Sequence, residues 1–571
     1  MPDVVRLRLT QIVLWTGIIA TLTIAPFTNF DPISLPKMTA IAVGAFSCFF
    51  LMLIYLRDFA NSHRILILLS SLFVLFMGTT IVFSKAPLEQ QLWGMFGRNT
   101  GFVAYLSLII ILFASCIGAS KNFDFPKRLA FSVIGVSIFE TFYCLIQIAK
   151  RDPVPWSEMQ PFGTLGNVNF LSAFLGLSTV MILSVIISKY TEKRFRFFLG
   201  LLLITQLSII VETGSIQGLM MFGVGSAVTL FFWSNATAHR MKIQSIIFAI
   251  YGLVGILSTF ALFNQGPLAR FIFQPSITFR WDYMHAGVEM TSRFPWFGVG
   301  LDSYGDWYRT LRGEISTLRT GPDRTANSAH NIFLDISSNG GFPLILTYLI
   351  LVFWAAVGCY KLWKSSKQNY NSWEAALVSA WIAYQIQALI SINQLGVGIW
   401  AWILTGALIA YSSTKFHTSQ NLSSVSYEKS HTSKRKKVSE NAKRFRGELI
   451  PAKANLLGFA GAVSGLIICL PALSADSKVY DAIKSNNMVD MIDSLKGPGV
   501  TAWHMAIVLD QAVKNNDSVA GQEVIKLINS KFPRDYYAYF IRFASATVSL
   551  EERDQARLVL KELDPFNPNI P

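Results

Sequence analysis

One long polar interval of the chain, residues 264–341, concentrates the residue types that could carry chemistry. Two of the chain's seven histidines, His285 and His330, lie in it. Its arginines are Arg270, Arg280, Arg293, Arg309, Arg312, Arg319 and Arg324. Arginine can bind a phosphate through two parallel hydrogen bonds, and a partly desolvated histidine can act as a base. The interval therefore contains what is needed to bind a phosphorylated substrate and to move a proton.

The rest of the chain predicts the scaffold for this interval. Of its 571 residues, 52% are hydrophobic and only 15% charged, with a mean hydropathy of +0.42. Apolar runs of about 20 residues recur, long enough to cross a bilayer core of ~30 Å as helices. We predict an all-α polytopic membrane protein with twelve core spans and a thirteenth. The predicted spans are about 10–27, 38–56, 65–83, 101–119, 129–148, 168–188, 196–211, 216–233, 243–263, 342–360, 373–391, 395–411 and 454–474.

Basic residues predict the orientation of the spans. Lysines and arginines occur at the N-terminus and in alternate short connections, for example Arg57, Lys121, Lys193, Arg240 and Lys361. Because such connections stay in the cytoplasm, the interval 264–341 is predicted to be an extracytoplasmic loop. The net charge of +15 is then mostly a topology signal, and it does not indicate nucleic-acid binding. The five cysteines fall in apolar runs, without metal or disulfide spacing.

Three segments follow the predicted core of residues 1–411. Residues 412–453 are rich in serine and lysine and predict a basic cytoplasmic linker. The span 454–474 returns the chain to the outside. Residues 475–571 predict a small soluble helical domain, whose "LDPFNP" ending resembles tetratricopeptide-type repeats. A plain helical cap is the alternative, and the domain could bind a polymer, a protein partner or an acceptor protein.

Elimination leaves His330 as the best-placed extracytoplasmic histidine. His504 is interpreted as structural, and His285 does not share a helix face with Arg280. Arg280 begins "RWDYMHAGVEM", an amphipathic helix near aromatic residues that suit the headgroup zone. We interpret four further arginines as generic binders of anionic headgroups: Arg309, Arg312, Arg319 and Arg324. No HExxH, P-loop or paired-aspartate motif is present, so neither a metal site nor a cofactor is predicted.

Several segments resemble the O-antigen ligase/polymerase superfamily. Arg280 followed by tryptophan, then "PWFGVG" at 295–300, then His330-Asn331 and a glycine-rich return to the membrane, resembles its signature loop. "FGTLGNVNFLSAFLGL" (162–177), "WGMFGRNTGF" (93–102) and "NQLGVGIWAWILTGAL" (393–408) resemble other parts of that family. The resemblance extends over residues 1–411.

The resemblance implies a helical bundle of the GT-C kind in the cytoplasmic membrane of a bacterium. It implies metal-independent transfer of a glycan from undecaprenyl pyrophosphate to an acceptor at the outer face. Arg280 would bind the pyrophosphate and His330 would activate the acceptor hydroxyl. The other predicted substrate-binding residues are Arg98, Arg293, Gln217, Trp281, Gly298, Gly300 and Asn331. Gln217 stands where many members have arginine, and Asn339 where they often have an acidic residue.

The acceptor stays open at this point. A ligase, a chain-extending polymerase and a protein O-oligosaccharyltransferase would differ in whether the acceptor is a lipid, a glycan or a protein. A lipid-linked glycan transporter or flippase is the alternative outside this class. We disfavour it because a transporter should carry ionisable residues within its spans, where this sequence has few, Glu140 being the exception.

Overall fold

The structure is a computed structural model that describes residues 3–54, 63–156, 160–367, 369–428, 452–544 and 549–571. These residues form helices joined by turns and loops, and no strand occurs among them. The first ten helices are α1 (Asp3–Leu22), α2 (Ser34–Leu53), α3 (Arg64–Phe83), α4 (Leu88–Trp93), α5 (Phe102–Ala119), α6 (Phe125–Ile148), α7 (Val168–Ile186), α8 (Lys193–Glu212), α9 (Ile216–Asn235) and α10 (Arg240–Leu262).

The long loop adds four helices before the chain returns to the bundle. They are α11 (Ala269–Ile272), α12 (Pro275–Arg293), α13 (Tyr304–Leu311) and α14 (Glu314–Thr320). The bundle is completed by α15 (Ile332–Ser365), α16 (Ser372–Ala388), α17 (Leu395–Glu428) and α18 (Ala452–Ser485). The chain ends with α19 (Met488–Ser494), α20 (Ala502–Lys514), α21 (Ser518–Lys531), α22 (Tyr536–Ala544) and α23 (Leu550–Leu563).

The prediction of an all-helical, multi-pass membrane protein is confirmed. Twelve of the described helices are long and apolar enough to cross a membrane. The sequence predicted thirteen spans, and the difference is α16, which has 17 residues. The first part of the predicted linker, 412–428, continues α17, while residues 429–451 and Arg57 lie outside the described residues.

The bundle is centred on α17. Every residue from Leu395 to Ser412 is buried, and α1, α5 and α15 pack around this helix. A helix that is apolar on all sides is typical of such a central position. At the edge of the bundle, α18 packs along α2, where a Cβ at Gly461 or Gly465 would overlap the α2 backbone. This small-xxx-small spacing lets two helix backbones approach closely.

The long loop is anchored to the bundle by a break in α15. Gly341, at φ 74°, interrupts the helix after about two and a half turns. The chain at Pro295–Gly300 pairs with this break: Val299 N donates to Ser338 O (2.8 Å), and Phe342 N donates to Pro295 O (2.7 Å). A Cβ at Gly298 would overlap the backbone of Asn339. The glycine-rich run therefore supports a close approach to the protein's own helix.

The helices after Ser485 form a second hydrophobic core that packs on the long loop. The core includes Val508, Leu509 and Val524. Trp503 stacks on Phe96 with ring centroids 3.7 Å apart. His504 is buried, and its Nε2 lies 2.9 Å from a carboxylate oxygen of Asp476 in α18. The tetratricopeptide-like assignment stays a prediction.

The interpretation of Arg309 and Arg312 as headgroup binders is wrong. Both bind Asp564 of the "LDPFNP" ending, Arg309 at 2.9 Å and Arg312 with two nitrogen–oxygen contacts of 2.7 and 2.8 Å from Nη2. The Arg312 and Asp564 side chains are completely buried. Arg319 instead pairs with Asp282, and Arg324 lies over the ring of Phe279. Arg309 and Arg312 thus join the loop to the C-terminal helices, while Arg319 and Arg324 make contacts within the loop.

We expect Asp564→Ala to detach the C-terminal helices from the loop. Removing one partner of a buried ion pair costs about 3–5 kcal/mol, because the remaining charge stays buried without compensation. Thermal unfolding in detergent and limited proteolysis of residues 485–571 measure the effect. Asp554→Ala is the matched control, since its pair with Arg557 is largely exposed. Equal changes in both variants would contradict the role of Asp564.

Candidate functional site

Arg280 is a buried cation with almost no internal compensation. It lies on the second turn of α12 with only 6% of its surface exposed. Its Nη1 donates to the carbonyl oxygen of Ile390, in the turn between α16 and α17, at 2.7 Å. Its Nε is buried without a hydrogen-bond partner. Within the described ranges, no carboxylate forms an ion pair with Arg280.

His330 sits in a tight turn immediately before α15. Its backbone has φ 51°, in the left-handed region that few residues other than glycine adopt. Asp335 holds this turn by accepting from Ser328 Oγ (2.7 Å) and Ala329 N (2.8 Å), and His330 N donates to Ser328 Oγ (2.9 Å). Asn331 caps the helix, accepting from the amides of Phe333 and Leu334. The backbone is thus fixed on both sides of the imidazole.

The ring of His330 has surroundings different from those of its backbone. No hydrogen bond joins its ring nitrogens to the part of the protein that the structure describes. The ring lies against Tyr283, with centroids 5.3 Å apart. Burial and the positive charges of Arg280 and Arg98 lower the pKa of His330 to about 3. The side chain is therefore neutral at physiological pH, and the two arginines lie close enough to affect its charge.

Arg98 also lowers the pKa of His330, but its guanidinium is already paired with two carboxylates. It is buried between Asp302, at 3.5 Å, and Asp335, at 3.6 Å, and it donates to the carbonyl oxygen of Asn327. Asp302 also accepts from Thr100 Oγ1 at 2.9 Å. To bind a phosphate directly, as the resemblance implies, Arg98 would have to leave these carboxylates. In this arrangement it positions the segment before His330.

Three other predicted residues lie nearby or at the rim of the site. Gln217 is buried at the start of α9, where its Oε1 accepts from Gln387 Nε2 at 3.1 Å. Trp281 projects outward from α12 and is largely exposed. Asn331 uses its side-chain oxygen as a helix cap. These positions place Gln217 within the bundle and Trp281 at its surface.

The remaining predicted residues make other contacts. Arg293 is at the opposite end of α12 from Arg280 and pairs with Glu289 at 2.8 Å. Gly298 and Gly300 pack against α15 and the segment after α3. The structure therefore brings together Arg280, His330 and Arg98, and separates them from Arg293.

The sequence analysis missed the carboxylates that organise the site. Asp302 and Asp335 neutralise Arg98, and neither stands in a recognisable local motif. It also missed Lys37, which lies buried inside α2 and donates to the carbonyl oxygen of Thr23 at 3.1 Å. The side chain of Glu140 is likewise satisfied, by the amide of Thr164 at 3.0 Å. Lys37 and Glu140 are thus held by protein groups.

Comparison with known proteins identifies the segment that carries the cluster. The family model described as O-antigen ligase matches residues 170–349, from α7 into α15. The chain contains an O-antigen ligase domain. The resemblance to the O-antigen ligase superfamily is thereby confirmed, and the match includes both Arg280 and His330. No curated protein matches the chain.

The O-antigen ligase domain supports a general activity. Its family comprises membrane proteins of the glycan ligase or polymerase kind, which act on lipid-linked glycans and acceptors. The chain is therefore assigned to membrane glycosyl transfer in general terms. Among the described residues, no group of three or more histidines, cysteines or acidic residues is arranged to hold a metal ion.

We expect Asp335→Ala to loosen the turn that presents His330. The variant removes the acceptor of the Ala329 amide and one of the two carboxylates beside Arg98. Breaking this buried pair should cost about 3–5 kcal/mol and raise deuterium uptake in residues 327–334. Asp335→Asn, which keeps an oxygen for the amide, should have the smaller effect. Unchanged exchange relative to Asp323→Ala, an exposed position on the same loop, would contradict this role.

Proposed function

We propose that this protein transfers an oligosaccharide or polysaccharide from a polyprenyl-pyrophosphate carrier to an acceptor. The single observation that carries the proposal is the buried, unpaired Arg280 beside a neutral His330. A buried cation without a carboxylate is costly for the fold, because desolvation penalises the charge by several kcal/mol. A bound pyrophosphate would supply the missing anion at the point where a base is available.

The proposed reaction is a direct displacement at the anomeric carbon of the first sugar. The acceptor oxygen forms a bond to that carbon while the bond from the carbon to the pyrophosphate oxygen breaks. Arg280 stabilises the negative charge that develops on the leaving pyrophosphate, in a site that is already oriented for it. His330 takes the proton of the acceptor hydroxyl. The products are the glycosylated acceptor and the polyprenyl pyrophosphate, and the transition state resembles an oxocarbenium ion.

Binding of the donor would also adjust the base. Within the protein itself, burial and the positive charges of Arg280 and Arg98 lower the pKa of His330. A pyrophosphate between these groups would offset that effect and raise the pKa of His330, making it a stronger base. Arg98 thus supplies positive charge rather than a direct phosphate contact, and Gln217 stands where a second arginine is often found. Donor binding and base activation would therefore be coupled.

The distribution of basic residues supports an outer-face location for this reaction. Arg240 begins α10 and Lys361 lies near the end of α15, so each is at the end of its helix that is farther along the chain from the loop. In a bacterial cytoplasmic membrane, the positive-inside rule would place the basic connections in the cytoplasm. The cluster of Arg280 and His330 would then face the outside. Ligase, polymerase and protein glycosylation activities share this arrangement and differ in the acceptor.

Two variants, His330→Ala and Arg280→Ala, test the proposed roles of the base and the pyrophosphate ligand. We expect glycan transfer from undecaprenyl-pyrophosphate oligosaccharide to fall about 100- to 10,000-fold without the base. It should fall about 100- to 1,000-fold without the arginine. Mass spectrometry of products from proteoliposomes measures both, with His285→Ala, an exposed histidine of the same helix, as control. Full activity in either essential variant, or a requirement for a nucleotide-sugar donor, would refute the mechanism.

The pH dependence should show the coupling between donor and base. A neutral His330 is required, and its pKa in the free protein is lowered to about 3. The ratio kcat/KM should therefore stay level well below pH 6.5, and kcat should decline at a higher pH than kcat/KM. Initial rates between pH 4 and 8 measure this, with His285→Ala giving the same profile. If kcat and kcat/KM both declined near pH 6.5, this result would contradict the coupling between donor binding and the base.

A further inference from the structure

A second concave site lies between the long loop and the C-terminal helices. It is lined by residues 83–87, 293–298, 306–307, 502 and 532–535, and we call it the junction groove. Its volume is about 480 Å³. This is within the range of about 300–1,000 Å³ that is typical of small-ligand pockets. The groove exists because Arg534 attaches the C-terminal helices here, donating to Asp306 O (3.2 Å) and Thr310 Oγ1 (2.7 Å).

Several aromatic rings line the junction groove. Trp296 is 68% exposed. Trp307 is covered by the Arg534 guanidinium, 3.6 Å from its ring centroid. Phe83 and Phe297 stack with centroids 4.8 Å apart. Flat rings with an exposed face can pack against the C–H face of a sugar ring while leaving its hydroxyls free for hydrogen bonds.

Two carboxyl groups supply the polar contacts. Asp306 Oδ2 accepts from Gln90 Nε2 at 2.9 Å, and Asp535 Oδ1 accepts from Ala538 N at 2.9 Å. Asp535 also interacts with the amide of Tyr537. Among the described residues, the second oxygen of Asp306, Oδ1, has no hydrogen-bond partner in the protein. Burial raises the pKa of Asp306 to about 7. Such a carboxyl group can both accept a hydrogen bond from a hydroxyl and, when protonated, donate one.

The charges of the groove favour a neutral ligand. Lys85, Arg293 and Arg534 are placed among the same lining residues as Asp306 and Asp535. A polyanion would meet the two carboxyl groups, and a polycation would meet the three basic groups. A hydroxyl-rich, uncharged molecule can form hydrogen bonds with both kinds of side chain. We propose that the junction groove is a saccharide subsite, with Trp296 as a stacking surface and Asp306 as a hydroxyl acceptor.

The subsite deepens the proposed glycan transfer and rests on it. Arg280 and Arg293 are thirteen residues apart on α12, which corresponds to about 20 Å along the helix. The junction groove, at the Arg293 end of α12, would therefore hold sugar units that are several units away from the reacting anomeric carbon. Those sugars could belong to the donor glycan or to a glycan acceptor. A site of this kind would select chains by length.

Kinetics with glycans of different length test the subsite in the full-length protein. We expect Trp296→Ala and Asp306→Asn to raise KM about tenfold for a donor with a full oligosaccharide. The same variants should leave KM unchanged for a donor carrying one sugar, with Ile315→Ala, 79% exposed on the same loop, as control. The same measurement with the one-sugar donor and glycan acceptors of different length shows whether the bound sugars belong to the acceptor instead. An effect that is absent, or independent of both lengths, would overturn the proposal.

A binding experiment separates this proposal from the proposed reaction. His330→Ala protein in detergent is titrated with oligosaccharide released by mild acid from the cell's own lipid-linked pool. We expect saturable quenching of tryptophan fluorescence that Trp296→Ala and Asp306→Asn weaken about tenfold, whether or not transfer is ever observed. The subsite would be overturned if the His330→Ala protein did not bind the oligosaccharide, or if adding Trp296→Ala or Asp306→Asn left its affinity unchanged. If short-chain phosphatidylglycerol bound in place of the oligosaccharide, the junction groove would be a lipid headgroup site. This result would also overturn the saccharide subsite.

Discussion

The candidate site depends on how the positive charges of two buried arginines, Arg98 and Arg280, are compensated. Arg98 lies between Asp302 and Asp335, and its charge is balanced within the protein. Arg280 has the carbonyl of Ile390 and no carboxylate among the described residues. Both positive charges, together with burial, lower the pKa of His330, so the imidazole beside them is neutral. We propose that the uncompensated charge of Arg280 favours a bound anion at this site.

The surrounding structure fixes the positions of Arg280 and His330. The break of α15 at Gly341 lets the chain at Pro295–Gly300 pair with the helix, which fixes the loop to the bundle. The capping interactions of Asn331 and Asp335 then set the backbone of His330. On the outside of the loop, the buried pair of Arg312 and Asp564 secures the C-terminal helices. The same attachment forms the junction groove, so the two proposed sites share one framework.

The sequence predicts those parts of the structure that depend on local pattern. Apolar runs gave the membrane spans, and the run after Pro275 ends as a helix at Arg293, just before Pro295. Arg280 and His330 were found because a family resemblance covers their segment. The ion pairs were not predictable in this way: Arg312 and Asp564 are 252 positions apart, and no periodicity connects them. Gly298 was predicted to bind substrate, but the backbone that lies closest to it belongs to Asn339 of α15.

Binding of the leaving group tests the central claim most directly. Equilibrium binding of undecaprenyl pyrophosphate is compared between the parent protein, Arg280→Gln and Arg293→Gln, two arginines of one helix. A charge-assisted hydrogen bond contributes about 1.5–3 kcal/mol, so Arg280→Gln should weaken binding at least about tenfold. Arg293→Gln, whose guanidinium is exposed and paired with Glu289, should bind like the parent protein. Equal affinity in the parent and Arg280→Gln would contradict the assignment of Arg280 as the pyrophosphate ligand.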